Sequence, residues 1–317
     1  MQLRFTCKRF ISGLSRAYLF SLLLVLGGAC QPHDQAVVRI KATTYTRSVA
    51  ELAQARLTPT LVDPDYLLVL DMAMLSANVY SGVQARDHRP DYGQDSARYA
   101  GERRELARRG WRPFAFRYAV GAPAGQRLAS GLVFDVWVRT APGTRPLAVL
   151  VFRGTNYLEF ADWVANVRPL TNTPGVWDQY EQARVLTPVL VAKLDSAYGG
   201  RQRVMAAGHS LGGGLAQHAG FTCGRVEKVF AFNSSPLTGY FDVAKRERLR
   251  HGSGRRTYLV YESYEVLAML RLVPGVLERF TDNANAVVVR YNFSEVGTWS
   301  PFRQHEMQRL VVGLGEQ

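Results

Sequence analysis

Apolar residues occur along this chain at two spacings, and the alternation between them outlines a fold. Pro64 to Tyr80, PDYLLVLDMAMLSANVY, carries them at helical intervals and predicts a helix packed on a core. Leu132 to Arg139, LVFDVWVR, alternates like a strand. After the Pro142-Gly143 turn, Leu147 to Phe152, LAVLVF, is a continuous apolar run of the kind found in strands buried on both faces. The second half repeats the scheme. Val176 to Tyr198 predicts a helix, Arg203 to Ala207 a short strand and Leu211 to Cys223 another helix, while Lys228 to Phe232, Thr257 to Tyr261 and Ala286 to Tyr291 predict three further strands. Strands alternating with helices imply an α/β fold with a mostly parallel central sheet flanked by helices.

The first sixty residues lie outside that pattern. Arg4, Lys8, Arg9 and Arg16 make a basic segment, followed by the apolar run Ala17 to Gly28, AYLFSLLLVLGG. That run falls short of the roughly 20 residues a bilayer-spanning helix needs, and fits the apolar region of an export signal. Gly27-Gly28-Ala29 before Cys30 resembles a bacterial lipoprotein signal, which implies cleavage there and lipidation of Cys30. The expected organisation is a signal peptide of lipoprotein type over 1–29, a polar tether over 30–60 and one domain over 61–317. The expected location is outside the cytoplasm, anchored to a membrane as a lipoprotein, or otherwise secreted or periplasmic.

Composition narrows the classes. With 317 residues, 47% of them hydrophobic, the chain can bury a full core. The net charge of +13 is concentrated in two clusters, Arg98 to Arg112 (RYAGERRELARRGWR) and Lys245 to Arg256 (KRERLRHGSGRR). Glutamates interleave both, so they read first as solvated faces and second as basic patches attracted to an anionic membrane surface. No nucleic-acid partner is expected. Cys223 is the lone cysteine of the body, so no intramolecular disulfide is expected there. The His and carboxylate spacings match no metal motif, and neither metal nor cofactor is expected.

The candidate chemistry centres on Gly208-His209-Ser210-Leu211-Gly212, which joins a predicted strand to a glycine-rich helix start. In that setting a serine sits on a sharp turn with its hydroxyl above the sheet, and the flanking glycines avoid steric collisions. Such a serine needs an imidazole to take its proton, and an acid to orient that imidazole. The order serine, acid, histidine selects His305, which follows the last predicted strand. His33 and His88 precede the serine, His209 adjoins it and is expected to pack under the loop, His218 lies on the following helix, and His251 precedes any plausible acid.

Val149 to Val167, VLVFRGTNYLEFADWVANV, with GHSLGGG about fifty residues later and Phe232-Asn-Ser-Ser-Pro after the next strand, resembles the class 3 (fungal-type) lipase family of the α/β-hydrolases over most of Asp65 to Gln317. The resemblance implies a serine hydrolase of lipid carboxylic esters, a triacylglycerol lipase or a phospholipase or esterase, acting through an acyl-enzyme. It implies an oxyanion hole formed by the N–H groups of Thr155 and Leu211, structural roles for Arg153 and Asp162, and a lid at Asn156 to Phe160, where this chain is short. The family's acid is an aspartate. Here the matching position, before the apolar segment Leu267-Ala-Met-Leu, is Glu265, with Glu262 second and Asp282 and Asp242 more remote. A fold without chemistry, a catalytically silent lipid-binding or scaffold lipoprotein, is the rival reading.

Overall fold

The computed structural model describes residues 35–40, 43–48, 66–81, 100–115, 127–128, 132–154, 176–252, 255–262, 265–267, 286–291 and 305–315. Eleven strands occur among them: β1 (Gln35–Ile40), β2 (Thr43–Ser48), β3 (Trp111–Pro113), β4 (Arg127–Leu128), β5 (Phe134–Arg139), β6 (Leu147–Phe152), β7 (Val176–Trp177), β8 (Arg203–His209), β9 (Val226–Phe232), β10 (Arg256–Glu262) and β11 (Ala286–Tyr291). The described helices are α1 (Tyr66–Asn78), α2 (Ala100–Arg108), α3 (Gln179–Tyr198), α4 (Leu211–Thr222), α5 (Lys245–Gly252) and α6 (Met307–Gly315).

Among the described residues the main sheet has nine strands in the order β2-β1-β11-β10-β9-β8-β6-β5-β3. The five from β6 through β8, β9 and β10 to β11 run parallel, and the strands on both flanks are antiparallel. This is an α/β-hydrolase fold, with the mostly parallel sheet and flanking helices that the alternating pattern predicts. The stretch read from its polarity as a tether contributes β1 and β2, which form a hairpin on the edge strand β11. Its alternation of Val and Thr with polar residues is weak by itself, and the open edge of β11 supplies the hydrogen bonds that make it a strand. The leader, with Cys30, lies outside the described residues.

The apolar run of β6 is buried along its whole length because successive side chains enter two different cores. Val149 and Val151 join Met205, Ala207, Phe230 and Val260 against α1 and α6. Ala148, Leu150 and Phe152 join Val204, Ala206 and Val229 against α3 and α4. Each fully buried Leu or Phe in these layers contributes about 2 kcal/mol of transfer free energy, so the sheet is a stiff base for whatever its carboxyl edge carries. Helix α3 is closed at both ends by local chemistry: the Asp178 carboxylate accepts from the N–H groups of Tyr180 and Glu181, and Gly199 stops the helix at φ 64°.

Candidate active site

The carboxyl ends of β6, β8, β9 and β10 converge on Ser210. It follows β8 directly and precedes α4, and its backbone stands at φ 57° and ψ −125°. A non-glycine residue at such a φ costs on the order of 1–3 kcal/mol and persists only where the surroundings impose it. Those surroundings are visible. The Ser210 N–H donates to the Phe232 carbonyl at 3.0 Å, while its own carbonyl accepts from Gly213 at 3.0 Å and Ser235 at 2.9 Å. Three glycines let the chain turn this tightly. A Cβ on Gly208 would lie 2.2 Å from the Gly212 carbonyl oxygen, one on Gly212 2.2 Å from the Phe152 oxygen, and one on Gly213 2.6 Å from the Ser234 Cβ. The Ser210 hydroxyl is buried and makes no hydrogen bond among the described residues. Helix α4 starts at Leu211, so its N-terminal dipole and first N–H groups lie beside the hydroxyl, where they favour negative charge.

The His305 ring and the Glu265 carboxylate are bonded, with Nδ1 to Oε2 at 2.6 Å, and both are buried. The same oxygen accepts the Leu267 N–H at 2.9 Å, which holds the carboxylate in place. A carboxylate that accepts from Nδ1 leaves the neutral ring's lone pair on Nε2, the nitrogen a proton acceptor must use. Glu262 ends β10 and is also buried, and its backbone N–H donates to the Asn233 side chain at 2.7 Å. Asp242 sits in an exposed turn before α5. Asp282, Thr155, Asp162, and the stretch 156–160 lie outside the described residues, as do His33 and His88.

His209 is the residue that links the two sides. Its Nε2 donates to the His305 carbonyl at 2.6 Å, and the two rings lie 4.7 Å apart. A carbonyl can only accept, so the Nε2 of His209 carries a proton and its Nδ1 accepts from the Tyr80 hydroxyl at 3.2 Å. The Tyr80 oxygen in turn accepts the N–H of Gly154 at 3.1 Å. Gly154 is pressed against the elbow: a Cβ there would lie 2.5 Å from the His209 carbonyl oxygen and 3.2 Å from the Ser210 Cβ. The β6 loop that leads to Thr155 therefore begins within van der Waals reach of the serine. Tyr80, in the 3₁₀ turn after α1, was not singled out by the sequence pattern, where it reads as the last apolar position of a core helix.

The remaining polar groups near α4 are structural. His218 is buried with its ring edge-on to Tyr180 at 5.3 Å, and burial pushes its pKa down to about 4. His251 donates from Nδ1 to the Phe221 carbonyl at 3.1 Å. Burial likewise raises the Cys223 thiol, which disfavours the thiolate. Among the described residues no three His, Cys, Asp or Glu side chains cluster as metal ligands, and no helix is long and apolar enough to cross a membrane.

Comparison with known proteins places this geometry in context. The family described as phospholipase-like, the Tle-like phospholipase domain, matches residues 71–266. The extracellular phospholipase A1 of Serratia liquefaciens is 30% identical over 186 residues, which cover 53% of each chain, so the chain spans about half the length of the curated relative it matches. Among solved structures, M37 lipase aligns at 14% identity with a TM-score of 0.41, covering 78% of this chain and 92% of that one. An esterase of Pyrobaculum calidifontis aligns at 12% identity with a TM-score of 0.33, covering 83% and 97%.

Proposed function

The chain belongs to the phospholipase-like family of the Tle-like phospholipase domain, and from that premise we propose that it is a serine hydrolase cleaving the carboxylic esters of phospholipids through an acyl-enzyme. The observation that carries the reading is the linked pair of facts around residue 209. Ser210 is held at a positive φ, and the next residue back bonds the carbonyl of His305, whose ring is bonded to a buried carboxylate. In the proposed reaction the Ser210 hydroxyl adds to the ester carbonyl while His305 Nε2 takes its proton. The N–H groups of Leu211 and Thr155 receive the oxyanion, each such donor being worth about 3 kcal/mol in the transition state. His305 then gives the proton to the leaving lysolipid or alcohol, and water repeats the cycle on the acyl-Ser210. Glu265 keeps the ring oriented and offsets the imidazolium charge. A carboxylate one methylene longer than the family's aspartate serves because its hydrogen bond to Nδ1 closes at 2.6 Å.

The finer likeness to class 3 lipases rests on the motifs alone. Family membership and the phospholipase A1 relative favour phospholipid over triglyceride. We further propose that residues 1–29 are an export signal and that Cys30 is lipidated, giving a membrane-anchored lipoprotein whose hydrolase body begins before residue 61. The extracellular relative supports export.

The deciding experiment measures release of fatty acid from phospholipid vesicles, and of nitrophenol from short-chain esters, by the chain and by Ser210→Ala, with fluorophosphonate labelling alongside. Hydrolysis and labelling are expected in the parent, with hydrolysis reduced by about 10⁴-fold or more in the variant and labelling lost. Binding of lipid with neither labelling nor hydrolysis in the parent would establish the silent lipid-binding reading instead.

A further inference from the structure

Two non-glycine residues among those described stand at a positive φ, Ser210 at 57° and Asn233 at 40°. They directly follow the neighbouring parallel strands β8 and β9, so both sit at the carboxyl edge of the sheet. Asparagine tolerates this backbone better than most side chains, and such conformations gather at functional sites. The first of the two is the elbow, and the second holds a junction.

Asn233, Ser234 and Ser235 are gripped on one side by the elbow. The Ser210 N–H donates to the carbonyl of Phe232, just before them, at 3.0 Å, and the Ser235 N–H donates to the Ser210 carbonyl at 2.9 Å. Between these bonds Ser234 lies against the first turn of α4, where a Cβ on Gly213 would come within 2.6 Å of its own Cβ. Its hydroxyl accepts from the Gln217 amide at 3.3 Å. On the other side the segment holds the end of β10. The Asn233 N–H donates to the Val260 carbonyl at 2.8 Å, and the Asn233 Oδ1 accepts the Glu262 N–H at 2.7 Å. Both partners of the second bond are buried.

The register of β9 on β10 runs as far as Phe232 opposite Val260. A continuing parallel ladder would give the Glu262 N–H to the backbone carbonyl of Asn233. The left-handed backbone leaves the strand there, and the side-chain oxygen accepts in place of the carbonyl. This bond fixes the point at which the chain leaves the sheet toward Glu265, three positions after Glu262. A shift of Glu262 would carry Glu265 with it, and a bond of 2.6 Å to His305 has little slack. We propose that Asn233 is a positioning residue, a strut between the Ser210 elbow and the loop of Glu265 that sets the carboxylate at bonding distance from His305 Nδ1. It rests on the serine-hydrolase reading for its purpose and requires no contact of Asn233 with substrate.

The test changes the amide while sparing the backbone. Asn233→Gly accepts the positive φ and removes the acceptor, whereas Asn233→Asp keeps an acceptor in the same place. Two readouts are followed in the full chain: kcat on a soluble short-chain ester, and the low-field proton resonance of a His305 Nδ1 bonded to carboxylate, assigned by its loss in Glu265→Gln. Asn233→Gly is expected to shift or broaden the resonance and to lower kcat about 10²-fold with KM little changed, as a small misplacement near the chemistry does. Asn233→Asp is expected to leave the resonance in place and kcat within about tenfold of the parent. Added to Glu265→Gln, Asn233→Gly should cost less than about a further threefold, because both act on one bond. If the glycine variant does not fold, Asn233→Ser, whose hydroxyl stops short of the amide oxygen, is expected to move both readouts the same way by a smaller factor. The proposal is overturned by a parent without the resonance, by readouts indifferent to the glycine or serine variant, by an aspartate variant no better than the glycine one, or by losses that multiply in the double variant. A parent that hydrolyses nothing, yet shows a resonance that Asn233→Gly displaces, counts against the hydrolase reading alone.

Discussion

Ser210 and His305 are held in place by unlike means. Ser210 is set mainly by backbone: three glycines, a strained φ between one strand and one helix, and main-chain bonds to Phe232 and Ser235. His305 is set by side chains that come from far along the chain, Glu265 on its ring and His209 on its carbonyl. The elbow tolerates no added atom at Gly208 or Gly212 because what a Cβ would meet there is other backbone. The surroundings of His305 tolerate changes that preserve hydrogen-bonding shape, because they include polar side chains. The first half should therefore fail by misfolding, and the second by losing activity in a folded protein.

The largest effect expected on the second half is from Glu265→Gln. The amide keeps the volume but favours the wrong ring tautomer, so kcat should fall by about 10³- to 10⁴-fold with melting temperature nearly unchanged. Glu262→Gln, measured beside it, should lose less than tenfold, and the reverse result would move the acid to the end of β10. On the elbow side, Gly212→Ala drives a methyl group to 2.2 Å from a backbone oxygen that cannot move without shifting β6. Stability should drop by about 3 kcal/mol, read as a lower urea midpoint and a poor soluble yield.

A comparable effect is expected from pH through His218, buried on the helix that begins at the elbow. Its folded pKa of about 4 lies below the usual 6.5, so between those values the unfolded chain binds a proton that the folded one refuses. Stability is unaffected above pH 6.5 and falls as pH drops toward 4, by about 3 kcal/mol at most. Urea melts at pH 7 and pH 4.5 should show the loss, and His218→Gln should remove this part of the slope. The smallest effect belongs to the link between the two halves. Tyr80→Phe deletes the hydroxyl that joins Gly154 to His209, leaving a buried N–H unmatched at the start of the loop proposed to carry an oxyanion donor. A loss of about tenfold in kcat with KM little changed is expected. A change in KM alone would mean that the loop positions substrate only.

Much of this was legible before any coordinates, and the reason differs by residue. The apolar run at Leu147 to Phe152 and the helical spacing at Pro64 to Tyr80 announce buried elements because burial on two faces, or one, leaves a direct mark on residue type. GHSLG is legible because the motif marks a strand–turn–helix bend, and Gly208 answers a steric demand from Gly212 four residues on. Likeness to a family motif favours Glu265 over Glu262, and no property of the two residues separates them, since both are buried at the end of or just after one strand. The hairpin β1–β2 read as a tether because an edge strand draws its hydrogen bonds from a partner about 250 residues later. Tyr80 and His209 gave no signal of a shared role.

The order of strands and helices and the place of the turn at Ser210 were thus determined by the linear chain, because local pattern and residue type mark them, whereas the steric demand on Gly212 and Gly213 comes from Phe152 and Ser234, brought there by the fold. Which carboxylate meets His305, and the route from Tyr80 through His209 to it, were decided only when the sheet brought distant loops together. Hydrogen bonds between side chains depend on direction and on tenths of an ångström, and residue type alone carries neither.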